Sequence, residues 1–328
     1  MNILMLSAGR RCELLKDFRA SMSEGSRIIA TDLSSYAPAL YFADRQYLVP
    51  RIDDPTYMDT ILEICRKEKI QAVTTLIDPE IMLLAENRER FEALGVEVLA
   101  PYTETAKLCF DKYEMFRYLT AHGVRTARTW GSYEETKAAI EAGEVGLPVF
   151  VKPRRGSGSV GARKVADLET LKAAFEQDPS LIAQELMTGE GAYDLDADIY
   201  IDTVSHEPVA IFSKRKISTT IGGANKTISF KDERLFAFIR EALKHFAFNG
   251  PIDADFFYKD GEYYLSEINP RFGGAYLHAY GAGVDFIKLI EKNLRGEANK
   301  AQIGQYEEGV VMMMYDSVVI KKAEELAH

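Results

Sequence analysis

Two strings in the sequence carry side chains suited to a polyphosphate and its counter-ion. The first is Lys152-Pro153-Arg154-Arg155-Gly156-Ser157-Gly158-Ser159-Val160-Gly161, in which a lysine closes an apolar run and a glycine-rich loop follows. Backbone N–H groups of such a loop can fold over phosphate oxygens, and a lysine at the strand end can reach them. The loop contains a literal GxGxxG, but the dinucleotide fingerprint requires that motif to open a helix. Here Ala162-Arg163-Lys164-Val165 reads as another strand, so the loop is expected to join a hairpin. It also lacks the GK[ST] ending of a P-loop. Taken alone the motif is weak, and an ordinary hairpin turn is the competing reading.

The second string is Asp255…Glu267-Ile268-Asn269-Pro270-Arg271-Phe272-Gly273-Gly274. Residues 254–258 and 263–268 flank Lys259-Asp260-Gly261-Glu262, whose Asp-Gly pair marks a tight hairpin. Glu267 and Asn269 are two apart, so in a strand they share a face. With Asp255 on the partner strand, they offer two carboxylates and an amide oxygen, hard donors suited to Mg²⁺. A solvated acidic edge is the competing reading, but a buried acidic pair without a cation is costly.

These residues need a scaffold, and the first hundred positions supply strand–helix alternation. Strands are expected at 3–7, 27–31, 72–76 and 96–99, and helices at 11–20 and 57–67. That order means a parallel sheet with crossover helices. One helix is expected over 104–122, stopped by Gly123, and another over 133–141. Asp167 reads as an N-cap. From Ile182 the pattern turns strand-rich, with strands at 198–203 and 209–212 about His206-Glu207-Pro208 and a helix over 233–246.

Composition narrows the class. The chain has 328 residues and a formal net charge of −10, which argues against a nucleic-acid partner. The three cysteines form no CxxC and suit a reducing compartment. No segment has the length of apolar residues that a membrane span needs, and the first residues lack signal-peptide features. A cytoplasmic protein without a membrane partner is expected. Ser7-Ala8-Gly9-Arg10-Arg11 follows the first strand and is a candidate substrate loop at the sheet's carboxyl edge. Asp32 after the second strand invites an NAD reading, which the missing glycine fingerprint disfavours.

With both strings in view, the chain resembles the ATP-grasp superfamily over nearly its whole length. It resembles especially members similar to carbamoyl-phosphate synthase large-chain domains and stand-alone carboxylate–amine ligases. The resemblance implies a mixed α/β and α+β protein, with a Rossmann-like N-terminal domain (1–101) followed by a two-lobed ATP-grasp fold, its small lobe at 102–187 and its large lobe at 188–328. It implies ATP binding by Lys112, Lys152 and the loop residues Gly156, Ser157, Gly158 and Ser159. Gln184-Glu185-Leu186 matches the adenine hinge; Asp194, or alternatively Glu190, matches the ribose carboxylate. Asp255, Glu267 and Asn269 match the Mg²⁺ ligands, with Mn²⁺ as a substitute. Arg271, Lys152 and Arg215, in the basic run Lys214-Arg215-Lys216, match the groups that face the transferred phosphoryl. His278 is expected to be structural.

The implied activity converts a small-molecule carboxylate to an acyl phosphate and couples it to an amine. A homodimer is compatible with that reading. Bicarbonate phosphorylation, of the carboxylase or carbamoyl-phosphate kind, and a non-catalytic ATP-binding module are the rivals. The acceptor pocket is expected near 218–227 and 275–283, in segments whose substrate is not legible.

Overall fold

The computed structural model describes residues 1–156, 161–220 and 223–327. Ser157, Gly158 and Ser159, three of the loop positions expected to cover phosphate, lie outside the described residues.

The N-terminal unit is a five-stranded parallel sheet in the order β3-β2-β1-β4-β5. Its strands are β1 (Asn2–Leu6), β2 (Arg27–Asp32), β3 (Arg45–Leu48), β4 (Ala72–Thr75) and β5 (Glu97–Val98). Helices α1 (Cys12–Ser21), α2 (Tyr57–Glu68), α3 (Pro79–Glu86) and α4 (Arg88–Glu92) connect them. The sequence pattern misses β3 because Arg45-Gln46-Tyr47-Leu48 is a half-exposed edge strand without an apolar run. α3 and α4 are short and escape a search for longer periodic segments.

The second unit opens with α5 (Thr103–Phe110) and α6 (Lys112–Ala121), where one helix was expected. Asp111 breaks it: its backbone is extended and its side chain accepts from Tyr113 N and Glu114 N, so it caps a new helix. Lys112 therefore stands at the first position of α6. Next come β6 (Thr129–Trp130), α7 (Tyr133–Glu141), β7 (Val149–Pro153), β8 (Arg163–Val165), α8 (Leu168–Gln177) and β9 (Leu181–Glu185). β7 and β8 are antiparallel, so the glycine loop joins a hairpin. Asp167 caps α8 through Thr170 N.

The third unit contains β10 (Tyr193–Ile201), β11 (Pro208–Thr220), β12 (Gly223–Phe230), α9 (Glu233–Leu243), β13 (Gly250–Lys259), β14 (Glu262–Asn269), α10 (Tyr276–Gly281), α11 (Phe286–Asn293) and β15 (Val311–Met313). The strands form one sheet ordered β14-β13-β10-β11-β12-β15. β10 and β11 extend well beyond the apolar stretches visible in the sequence, because their added length alternates charged with apolar side chains.

One hydrophobic core runs from Ile3 and Phe18 of the first unit to Phe212, Ile252 and Phe272 of the third. The rings of Phe18 and Phe272 meet edge-to-face at 5.5 Å, and burying each contributes about 1.5–3 kcal/mol. In the second unit, α6 joins this core through Met115 and Leu119, whereas the sheet of β6 to β9 has a separate core around Val149, Val151, Leu171 and Phe175. The site described below is thus a seam between a small, separately packed sheet and a larger body.

Candidate functional site

One face of the six-stranded sheet is lined with charge. Asp194, Asp196 and Asp198 alternate along β10, and cross-strand register sets Asp196 opposite Asp255, Asp198 opposite Asp253, Asp255 opposite Glu267, and Asp253 opposite Asn269. A register shift after Asp255 keeps Glu267 and Asn269 on this face, with Ile268 buried behind them. Asn269 Nδ2 lies 3.4 Å from Asp255 Oδ2, so the three expected cation ligands are neighbours. Among the described residues no cluster of three or more His, Cys, Asp and Glu side chains has metal-binding geometry. The set therefore rests on two carboxylates and the Asn269 amide.

Cations reach this face from every side. Lys112 Nζ lies 3.3 Å from Glu267 Oε1 and donates to Gly156 O at 2.5 Å. Lys216 Nζ donates to Asp255 Oδ1. Lys152 Nζ donates to Gln184 Oε1 at 3.1 Å, and Gln184 Nε2 in turn donates to Thr129 Oγ1 at 3.0 Å. Burial and the Lys112 charge lower the Lys152 ammonium, while Glu267 and Asp255 act the other way. The donor set, two carboxylates now balanced by two ammonium groups, has the charge and oxygen chemistry that a divalent cation takes.

Arg215 does not join this group, which corrects the expectation. It pairs with Leu195 across the ladder and so points to the opposite face, where its guanidinium stacks on Tyr193 at 4.3 Å and Phe230 at 5.0 Å. Its neighbours Lys214 and Lys216 occupy the charged face, because strand side chains alternate. Lys214 is fully buried, with Nζ 3.0 Å from Asp196 Oδ1 and bonded to Asp198 Oδ2. Burial opposes its charge, but the two aspartates outweigh burial and hold it above its ordinary value. Burial pushes Asp253 up to about 7, with Asp196 and Asp255 adding to the rise.

Arg271 ends the string. Burial opposes its charge, but Asp78 prevails: Arg271 Nε donates to Asp78 Oδ1 at 2.6 Å. Arg11, from the loop after β1, donates to the carbonyls of Phe272 at 3.1 Å and Gly273 at 2.6 Å. Burial and Arg271 lower its guanidinium to about 10. Gly273 is required by contact: an added Cβ would lie 2.8 Å from Asp198 Oδ1 and 2.8 Å from Asp253 Cγ.

The expected adenine segment follows β9. The Glu185 carboxylate is engaged by Arg128, whose backbone N donates at 2.8 Å and whose NH2 donates at 2.9 Å. Beyond it opens a cleft of about 450 Å³ lined by Met187, Thr188, Tyr193, Asp194, Lys216 and Ser218. Asp194 is in this lining and Glu190 is not. Desolvation raises the Asp194 carboxyl, with Lys216 opposing.

In the N-terminal unit both oxygens of Asp32 accept backbone N–H groups, from Gly9 at 2.9 Å and Ser34 at 3.0 Å, which leaves it a loop-holding role. The fully buried Glu80 accepts from Ser7 Oγ at 2.7 Å, Tyr57 OH at 2.5 Å and Thr75 Oγ1 at 2.5 Å. His278 is buried, with Nδ1 2.7 Å from Thr227 Oγ1 and Nε2 3.0 Å from Val310 O. Sequence reading did not single out Asp78, Asp196, Asp198 or Glu80. The period-two aspartates of β10 were the available signal for two of them.

Comparison with known proteins identifies the family. Residues 3–99 match the model for the PylC-like N-terminal domain, and residues 109–275, half of the chain, match the ATP-grasp domain. The chain is 27% identical over 291 residues to the formate-dependent phosphoribosylglycinamide formyltransferase of Haloquadratum walsbyi, covering 82% of this chain and 67% of that protein. It is 26% identical over 228 residues to the D-alanine–D-alanine ligase of Corynebacterium aurimucosum, covering 61% of this chain and 64% of that one. The chain thus spans about two thirds or less of the length of these relatives. Among solved structures, the biotin carboxylase domain of Hydrogenobacter thermophilus 2-oxoglutarate carboxylase, in complex with MgADP, ADP and bicarbonate, superposes with a TM-score of 0.74 at 17% identity. That superposition covers 94% of this chain and 73% of the other. No helix among the described residues is long and apolar enough to cross a membrane.

Proposed function

The chain belongs to the ATP-grasp family, and from that premise we propose that it is an ATP-dependent ligase that phosphorylates a small carboxylic acid and joins it to an amine. The reading rests above all on one observation. Lys112 of α6 and Lys152 of β7 face the Asp255, Glu267 and Asn269 group of the large sheet, with Arg271 at its end. Mg²⁺, or Mn²⁺ in its place, would be held by Asp255, Glu267 and Asn269 and would offset phosphate charge. Lys112 and Lys152 would bind ATP phosphate oxygens, exchanging their present partners Glu267 and Gln184 for them. Arg271, held by Asp78, would orient the carboxylate and stabilise charge on the transferring phosphoryl group. The nucleoside would occupy the cleft beside Leu186, with Asp194 toward the ribose.

In the first step a carboxylate oxygen attacks the γ-phosphorus and ADP leaves. In the second the amine attacks the acyl carbon, a proton is lost from nitrogen, and phosphate leaves. We place this chemistry on residues 102–187 and 188–328, with 1–101 completing the substrate side. The net charge of −10 and three free cysteines suit a cytoplasmic setting with free small molecules as substrates.

The test traps the intermediate. Enzyme, Mg-ATP, hydroxylamine and an acid that stimulates ATP turnover should yield a hydroxamate and ADP in equal amounts. AMP and pyrophosphate in place of ADP would mean adenylation and overturn the proposal.

A further inference from the structure

Between α3 and α5, against the end of β14, lies a cavity of about 50 Å³. Its lining combines two chemistries. Asp78, Glu267 and Asn269 are polar, the first holding Arg271 and the second holding Lys112. Met82, Ala106, Cys109 and Phe110 contribute carbon and one thiol. Burial pushes that thiol up, so Cys109 presents a neutral wall. The side chains of Met82, Ala106, Cys109 and Phe110 carry no nitrogen or oxygen with which to recognise a polar substituent.

From this we propose that the cavity receives the side chain of the carboxylate substrate, and that this side chain is short and apolar. The inference rests on the ligase reading above. Asp78, which holds Arg271, is part of the lining, so the chain of a carboxylate seated at Arg271 has this recess within reach. One water needs on the order of 10–15 Å³, so the recess has room for about three to five non-hydrogen atoms. Apolar pockets discriminate by length. A missing methylene forfeits burial, and one too many forces the wall apart, each worth about tenfold or more in kcat/KM.

The experiment uses the full chain and straight-chain acids from acetate to octanoate, with and without a 2-amino group. Two readouts run in parallel: ADP release with Mg-ATP, and the shift in melting temperature with Mg²⁺ and a non-hydrolysable ATP analogue. Both should rise about tenfold per carbon, in kcat/KM or apparent affinity, to an optimum and then fall. Met82→Ala deepens the recess and should move the optimum to longer acids. Ala106→Leu fills it and should move the optimum to shorter ones. If Ala106→Leu does not fold, the shift in Met82→Ala decides alone. A moving optimum in the melting shift without ADP release would retire the ligase reading and keep the side-chain pocket. ADP release whose length dependence is flat, or unmoved by the substitutions, would overturn the pocket and keep the ligase. If no acid of the series binds or turns over, the proposed substrate class is wrong.

Discussion

Arg271 Nε donates to Asp78 Oδ1 at 2.6 Å, and so fastens the turn after β14 to the first residue before α3. Asp78 sits at the N-cap of α3 yet makes no capping bond there. Its carboxylate serves Arg271 instead. Asp78→Asn keeps the shape and removes the charge, so the guanidinium should lose its fixed orientation. We expect kcat to fall about tenfold with KM for ATP little changed, and Arg271→Met to cost about 10²–10³ in kcat, the range for a lost charge-stabilising donor. An Asp78→Asn enzyme with unaltered kcat would remove the orienting role.

Glu267→Gln tests the cation site with almost no change in volume. Phosphate release should fall at least about 100-fold, the scale of losing one charge-stabilising group. The melting temperature should stay close to that of the wild type, since Glu267 is partly exposed. Full activity in a folded Glu267→Gln protein would exclude it as a ligand.

Lys214 is the internal counter-charge of the acidic face. Lys214→Met leaves Asp196 and Asp198 buried without their cation. Breaking a buried pair by removing one partner costs about 3–5 kcal/mol. Urea unfolding should therefore show a large drop in stability, with Lys214→Arg closer to wild type. A loss below about 1 kcal/mol, the value of an exposed pair, would mean that the acids are neutral or hydrated.

Gly273→Ala forces a methyl group against Asp198 and Asp253, both held in the sheet. Overpacking of this kind costs about 1–3 kcal/mol, and the displaced turn carries Arg271, so activity should fall with stability. Gly281→Ala, where an added Cβ meets nothing within 4 Å, is the control and should melt at or above the wild-type temperature. Equal behaviour of the two variants would refute the contact argument.

His278 gives a pH signature. Burial lowers its imidazole from 6.5 to about 4, with Lys214 adding to the effect. Between those values the unfolded chain binds the proton and the folded one does not. Stability from this group is thus complete above pH 6.5 and is lost as pH falls toward 4. Asp196 and Asp198, raised to about 6, and Asp253, raised to about 7, act with the opposite sign. The difference in unfolding free energy between wild type and His278→Gln isolates the histidine, and should shrink on acidification from pH 7 to pH 4. A difference independent of pH would show that the folded imidazole titrates normally.

Where neighbours in sequence are neighbours in space, the sequence alone was enough. Lys152 before a glycine loop, Glu267 and Asn269 two apart on a strand, and Asp-Gly between two apolar runs are local patterns. They determined the hairpins and the family to which the chain belongs, and they single out Asp255, Glu267 and Asn269 as the cation ligands we propose. Local competition within the chain was already harder: Asp111 ends one helix and caps the next because its side chain bonds the backbone, a choice the apolar periodicity does not reveal.

The tertiary structure decided what depends on register and on contact across the seam. A one-residue step reverses the face of a strand, so Arg215 stacks on Tyr193 while Lys214 and Lys216 meet the aspartates, and composition cannot tell the three apart. Asp78 and Arg271 are 193 positions apart, and Lys112 and Glu267 are joined only because α5, which leads into Lys112, packs toward β14. Such pairs form through long-range packing of a shared core, which sets distances that no local pattern encodes.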